Sequence, residues 1–196
     1  FLCRSMPGTP ALFQPLEDTI RTVFIPALLR RQVNDLERDL LSLPARMGGM
    51  GITKPTEECL ISHTNSVYVC TPLVRLVQRQ EFEFDPRELF DEIKQLRGDV
   101  DAENEARHKN QLELILDAAP AELKLALQAA TEKGASSWVT AAPSFDHGTV
   151  LHKGEFTDAI YIRYGWPLLN LPTTCACGVS FDVQHALDCK LGGLRT

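Results

Sequence analysis

Apolar residues recur at every third or fourth position over most of this chain, the spacing of helices that turn one face inward. Leu12, Leu16, Ile20, Val23, Ala27 and Leu28 trace such a stripe over 11–31. Pro26, which has no N–H to donate, is expected to end or kink that helix. Asn34 followed by Glu37 is a capping-box pair and opens a short helix through Leu43. Further helices are expected from Thr56 to about Cys70 and from Pro72 to Gln80. Asp85-Pro86 sets an N-cap before a proline at the first helical position. The helical pattern then holds to Lys133, with interruptions expected at Gly98 and Pro120, and Gly134 stands where a C-cap glycine belongs.

Two stretches break the rhythm. Leu43-Pro44-Ala45-Arg46-Met47-Gly48-Gly49-Met50-Gly51-Ile52 puts three glycines among large apolar residues, which marks a tight backbone bend. Residues 135–150, rich in Ser, Thr, Ala and Pro around Trp138 and Phe145, read as an extended crossing. A short helix from about Glu155 to Tyr164, closed by Gly165, precedes Pro167 and Pro172 and a cluster of cysteines. The expected fold is mainly α. An irregular helical region over 1–134 is followed by a linker with a short helix over 135–172 and a small zinc knuckle over 173–196.

Composition changes this picture little. Of 196 residues, 44% are hydrophobic and 23% charged, which is ordinary for a globular protein and excludes a disordered or fibrous chain. No stretch approaches the roughly 18 uncharged apolar residues of a membrane-spanning helix. The net charge of -6 lacks the basic signature of a nucleic-acid binder, but it is unevenly placed. Residues 81–132 carry 14 acidic and 6 basic side chains, a net of -8, and the rest carries 12 acidic and 14 basic, a net of +2. An acidic segment is joined to a near-neutral body, so the total sign says little about any one surface.

The six cysteines are Cys3, Cys59, Cys70, Cys175, Cys177 and Cys189. Residues 1–30 show no secretory signal, so the expected location is intracellular, nuclear or cytoplasmic, where clustered cysteines bind metal more often than they pair. Cys175 to Cys189 spells C-x-C-x7-H-x3-C, with His185 as the imidazole. Three thiolates and one imidazole are a full tetrahedral set for structural zinc. Gly178 permits the turn that aims the first two sulfurs inward, and Asp182 can cap a short helix that presents His185 and Cys189 on one face. Phe181 and Leu187 would form its apolar pad. With all four positions filled by protein, such a site leaves no open coordination position for catalysis. A Cys–His nucleophile is the weaker explanation, because no oxyanion site accompanies it.

Three segments, in order, resemble non-LTR retrotransposon reverse transcriptases. Leu43 to Ile52 is similar to the LP…GGLGI element that follows the polymerase core. Trp138 to Arg163, ending in Glu155-Phe156-Thr157-Asp158-Ala159-Ile160-Tyr161-Ile162-Arg163 with Tyr164-Gly165 behind it, is similar to the linker before the zinc knuckle. The third is the knuckle itself with Gly192-Gly193 behind it. The resemblance spans nearly the whole chain and implies a parent enzyme that nicks DNA and copies RNA from the nick. It also implies that this chain is not itself an enzyme. The polymerase's metal-holding Asp-Asp pair is absent from the sequence, and the endonuclease would lie beyond the knuckle. A chain that begins at Phe1 and stops at Thr196 reads as a piece of something longer.

On this reading the partner is RNA or DNA, with neither membrane nor small-molecule substrate, and Arg30, Arg31, Arg38 and Arg46 are the candidate phosphate contacts. Interleaved Asp35, Glu37 and Asp39 fit an ordinary solvated face as well. The alternative is a helical protein-interaction module with a purely structural zinc, which the acidic 81–132 segment favours. Gly48-Gly49-Met50-Gly51 lacks the Lys-Ser/Thr of a phosphate loop and is read as a bend. Glu103, Glu105 and Glu113 with His108 are read as a solvated helix face, and Trp138 and Trp166 as core anchors. His63, His147 and His152 have no partner at ligand spacing.

Overall fold

The computed structural model describes residues 2–80 and 83–191, side chains of Leu2 and Leu187 excepted, and is built of helices joined by turns. No strand occurs among the described residues; a single antiparallel bridge joins Thr174 to Ser180. No helix among them is long and apolar enough to cross a membrane. The chain divides into two units, Phe1–Val150 and Leu151–Thr196.

The first unit opens with α1 (Leu2–Ser5), a 3-10 turn (Pro10–Phe13), α2 (Gln14–Thr19), a wider π stretch (Ile20–Phe24) and α3 (Ile25–Leu29). Pro26 does not stop the helix. The π stretch precedes it, and the backbone stays helical through Phe24 and Ile25 into α3, which carries Pro26 in its first turn. The run ends three residues later, with Arg30 in the left-handed region at φ 57°.

α4 (Asp35–Ser42) starts at the expected capping box: Asn34 accepts from the Glu37 N–H at 2.9 Å, and the Glu37 carboxylate accepts from the Asn34 N–H at 3.0 Å. Leu40 and Leu41 on α4 are buried with Ile25, Leu29, Leu43 and Leu127. Arg38 shares that interior. Its guanidinium donates two bonds to the Glu17 carboxylate, at 2.8 and 2.7 Å, and reaches the carbonyls of Ile52 and Thr53 at 2.7 and 3.0 Å.

Those two carbonyls belong to the glycine bend. After a short 3-10 turn (Ala45–Met47), Gly48 turns left-handed at φ 87°, and the chain folds back so that Gly51 and Ile52 donate to the carbonyls of Leu43 and Leu41. Gly49 lies so close to this return that an added Cβ would sit 1.9 Å from the Leu43 carbonyl oxygen.

α5 (Pro55–Arg79) and α6 (Pro86–Ala118) form a long hairpin. α5 is one helix, where a break at 70–72 was expected. Pro72 is buried inside it, and the Thr71 hydroxyl donates to the Val67 carbonyl at 3.1 Å in the same turn. α6 likewise runs through Gly98 without interruption. A glycine there costs about 1 kcal/mol against alanine, too little to break a 33-residue helix packed on α4 and α5. Its start agrees with the sequence, Asp85 accepting from the Arg87 N–H at 2.8 Å, and it ends just before Pro120. Gln111 fastens α6 to α4 through the Asp39 carbonyl at 3.1 Å and the Ser42 hydroxyl at 3.0 Å. α7 (Ala121–Thr131) packs Leu123 and Leu127 inward near the bend, and Gly134 follows at φ 88°. Residues 135–150, expected to be extended, hold the short α8 (Ser137–Thr140) and turns.

The second unit contains α9 (Lys153–Arg163) and α10 (Val183–Asp188). His152 and Glu155 form a capping box at the start of α9, and Gly165 at φ 63° follows its end. Trp166 folds back on this helix, its ring 4.7 Å from Tyr164 and 5.6 Å from Tyr161. Burial of the Tyr164 phenol pushes its pKa up to about 12 against the opposing pull of Arg163.

Candidate metal centre

The residues before α10 make a narrow turn. Cys175 donates its N–H to the Val179 carbonyl at 2.8 Å, and Gly178 donates to the Cys175 carbonyl at 2.8 Å while holding φ 86°. Phe181 N–H closes the other side onto Thr173 at 3.1 Å. Asp182 then caps α10, accepting from the His185 N–H at 2.6 Å. This one helical turn brings His185 round to face the cysteine turn, and Cys189 ends it, its N–H donating to the His185 carbonyl at 2.8 Å.

The result is one compact donor set. The Cys175 and Cys189 sulfurs are 3.5 Å apart, and the Cys177 sulfur is 3.2 Å from His185 Nε2. All four ligand atoms lie within 4.8 Å of one another, and this cluster could hold a metal ion. Cys189 is buried and the other three are half-buried. The Cys175 thiol feels two opposing effects. A backbone hydrogen bond with Cys177 favours its thiolate, but the neighbouring sulfurs of Cys189 and Cys177, with burial, raise its pKa overall. Packed thiols of this kind resist ionising together unless a cation sits among them. The Phe181 ring lies edge-on to His185, centroids 6.2 Å apart. The Leu187 side chain and Gly192-Gly193 lie outside the described residues.

No family model, curated protein or solved structure matches the chain.

The four arginines named from sequence have different surroundings. Arg38 is a buried structural cation, its charge matched by Glu17. Arg31 makes a two-pronged pair with Glu37 at 2.9 and 2.6 Å, and Arg46 is paired with Glu105. Arg30 is exposed at the end of α3. Glu105 also meets Lys109 at 3.7 Å, and the Arg46 guanidinium holds its carboxyl below the usual range. Burial and the nearby charges of Arg107 and Arg46 lower the pKa of His108. His147 bonds the Ser144 hydroxyl at 2.9 Å, and His152 serves as a cap. Trp166 packs edge-on or tilted against Tyr161 and Tyr164, and both it and Trp138 are half-buried.

One feature of the surface was missed from sequence. A groove of about 660 Å³ lies between α5 and α6, with Leu60 and Leu114 in its lining. Leu60 begins a seven-residue series with Val67 and Val74, which lie outside the groove lining; that series was the available signal for an exposed stripe on α5, obscured by dividing the helix at Pro72.

Proposed function

We propose that this chain is a zinc-bearing, non-catalytic region of a retroelement-type reverse transcriptase polyprotein that contacts nucleic acid. The observation that carries the zinc reading is the convergence of Cys175, Cys177, His185 and Cys189. Zinc bound at about 2.3 Å to sulfur and about 2.0–2.1 Å to imidazole nitrogen sets tetrahedral edges near 3.8 Å between sulfurs and near 3.5 Å between sulfur and nitrogen. The separations of 3.5 and 3.2 Å are close to those edges. Three soft thiolates and one imidazole suit zinc over magnesium or calcium. Such an ion fastens the chain and presents the knuckle surface, and the retroelement resemblance supplies the nucleic-acid partner. Zinc analysis of the purified chain tests the first part: one ion per chain is expected, and none overturns it. Filter binding to structured RNA and to nicked DNA tests the second. Salt-sensitive retention is expected, and its absence at physiological ionic strength overturns nucleic-acid contact.

A second reading, a helical protein-interaction module with a purely structural zinc, is favoured by a different observation. Arg31, Arg38 and Arg46 each face a carboxylate, while the hairpin helices carry exposed apolar and acidic side chains. Competition between basic protein segments and nucleic acid for the chain separates the two.

A further inference from the structure

α5 and α6 run antiparallel, as the Arg75–Glu92 contact at 3.4 Å and the Tyr68 hydroxyl's bond to Asp99 at 3.4 Å show. On α5, Leu60, Val67 and Val74 stand seven residues apart and are 59%, 57% and 47% exposed. Thr64 and Thr71, also exposed, fall between them. Seven residues are close to two helical turns, so these five side chains form a single stripe, the spacing of a coiled-coil seam. Its span from Leu60 to Val74 is about 21 Å. Along its N-terminal half the stripe borders the interhelical groove, whose lining includes Ile61, Glu103, Asn110 and Leu114.

The facing edge of α6 is acidic. Glu92, Asp99 and Glu103 recur at helical spacing on the side of α6 that meets α5, and Glu92 is already paired with Arg75 there. Arg107 also lines the groove, its guanidinium 3.4 Å from Asn104 and 3.3 Å from the His108 ring, and is the one cation beside Glu103 among the described residues of that lining. An apolar seam beside a row of carboxylates matches one kind of occupant. Nucleic acid would meet like charge, and a second copy of this chain would bring the same acidic edge against its twin. A helix with an apolar stripe flanked by lysine and arginine satisfies both features at once.

We propose that the α5–α6 hairpin docks a basic amphipathic helix of a partner protein, about four turns long. Its apolar residues sit on Leu60, Val67 and Val74, and its cations face Asp99 and Glu103. This rests on the interaction-module reading and is independent of the zinc.

The test uses the full chain and two labelled 18-residue helical peptides, both with leucine at the heptad seam, one carrying lysine elsewhere and one glutamate. Fluorescence anisotropy at physiological salt should show the lysine peptide binding at least about tenfold more tightly. Val67→Glu should weaken that binding by at least about tenfold, although the change adds negative charge; nonspecific attraction requires the reverse. Asp99→Asn with Glu103→Gln should erase most of the preference for lysine, and Cys177→Ser should leave the affinity unchanged. Equal binding of the two peptides, an affinity indifferent to Val67→Glu, or binding lost in Cys177→Ser but kept in Val67→Glu each overturns the proposal. A dimer in sedimentation that Val67→Glu splits also overturns it, in favour of a second copy.

Discussion

Arg38 and Glu17 are joined by two parallel hydrogen bonds, at 2.8 and 2.7 Å, across 21 residues of sequence. Their side chains keep only 2% and 12% of their exposure, so this is an interior ion pair that ties α2 to α4, and through the Ile52 and Thr53 carbonyls to the glycine bend. Removing one partner strands the other's charge out of water. Arg38→Ala should therefore cost about 3–5 kcal/mol in urea unfolding. Replacing both, as Arg38→Met with Glu17→Leu, should cost much less than Arg38→Ala. A double variant as unstable as the single one sinks the stranded-charge explanation.

The bend glycines should differ sharply from one another. An alanine at Gly49 drives its Cβ into the Leu43 backbone, so Gly49→Ala should cost about 4 kcal/mol or more, or prevent folding. Gly51 has open space around it and φ 69°, so Gly51→Ala should cost only about 1–2 kcal/mol, the conformational penalty alone. Similar melting temperatures for the two variants contradict this.

For the proposed zinc, Cys177→Ser should lose the ion from the purified chain while the helical signal of the first unit is kept. Binding should also fall as pH drops, because protons compete for the thiolates and the imidazole. Zinc content titrated against a chromogenic chelator from pH 8 to pH 5 reads this directly, and retention that does not change over that range refutes thiolate coordination.

His108 gives a pH dependence of opposite origin. Its pKa is lowered in the folded chain, first by burial and then by Arg107 and Arg46, so the unfolded chain binds more protons once the pH falls through the ordinary histidine range near 6.5. Stability should decline there, with no contribution above it. His108→Gln should flatten the pH profile between about 7 and 5 relative to the parent; parallel profiles rule out this histidine as the source.

What could be read from sequence was what is local. The Asn34–Glu37 box and the Asp85 cap depend on neighbours two or three residues away, and the structure contains both. The four metal-ligand candidates sit within 15 consecutive residues, so their convergence needs one turn and one helical turn. Pro72 and Gly98 misled for the converse reason. Gly98 costs its helix about 1 kcal/mol and Pro72 about 3 kcal/mol, and packing of α5 and α6 along their lengths outweighs both. Arg38 misled most, because nothing near it in sequence says that Glu17 and two distant carbonyls await it.

The short sequence span of the donor set has a thermodynamic corollary. Closing a loop of some 15 residues costs little chain entropy, so the knuckle can assemble without help from the long helices. If an ion binds there, the stability of this segment rises with the logarithm of free ion concentration over its dissociation constant. The helical hairpin answers to temperature and denaturant instead. The two ends of one polypeptide would then respond to different variables, and a chelator could dismantle one and leave the other folded.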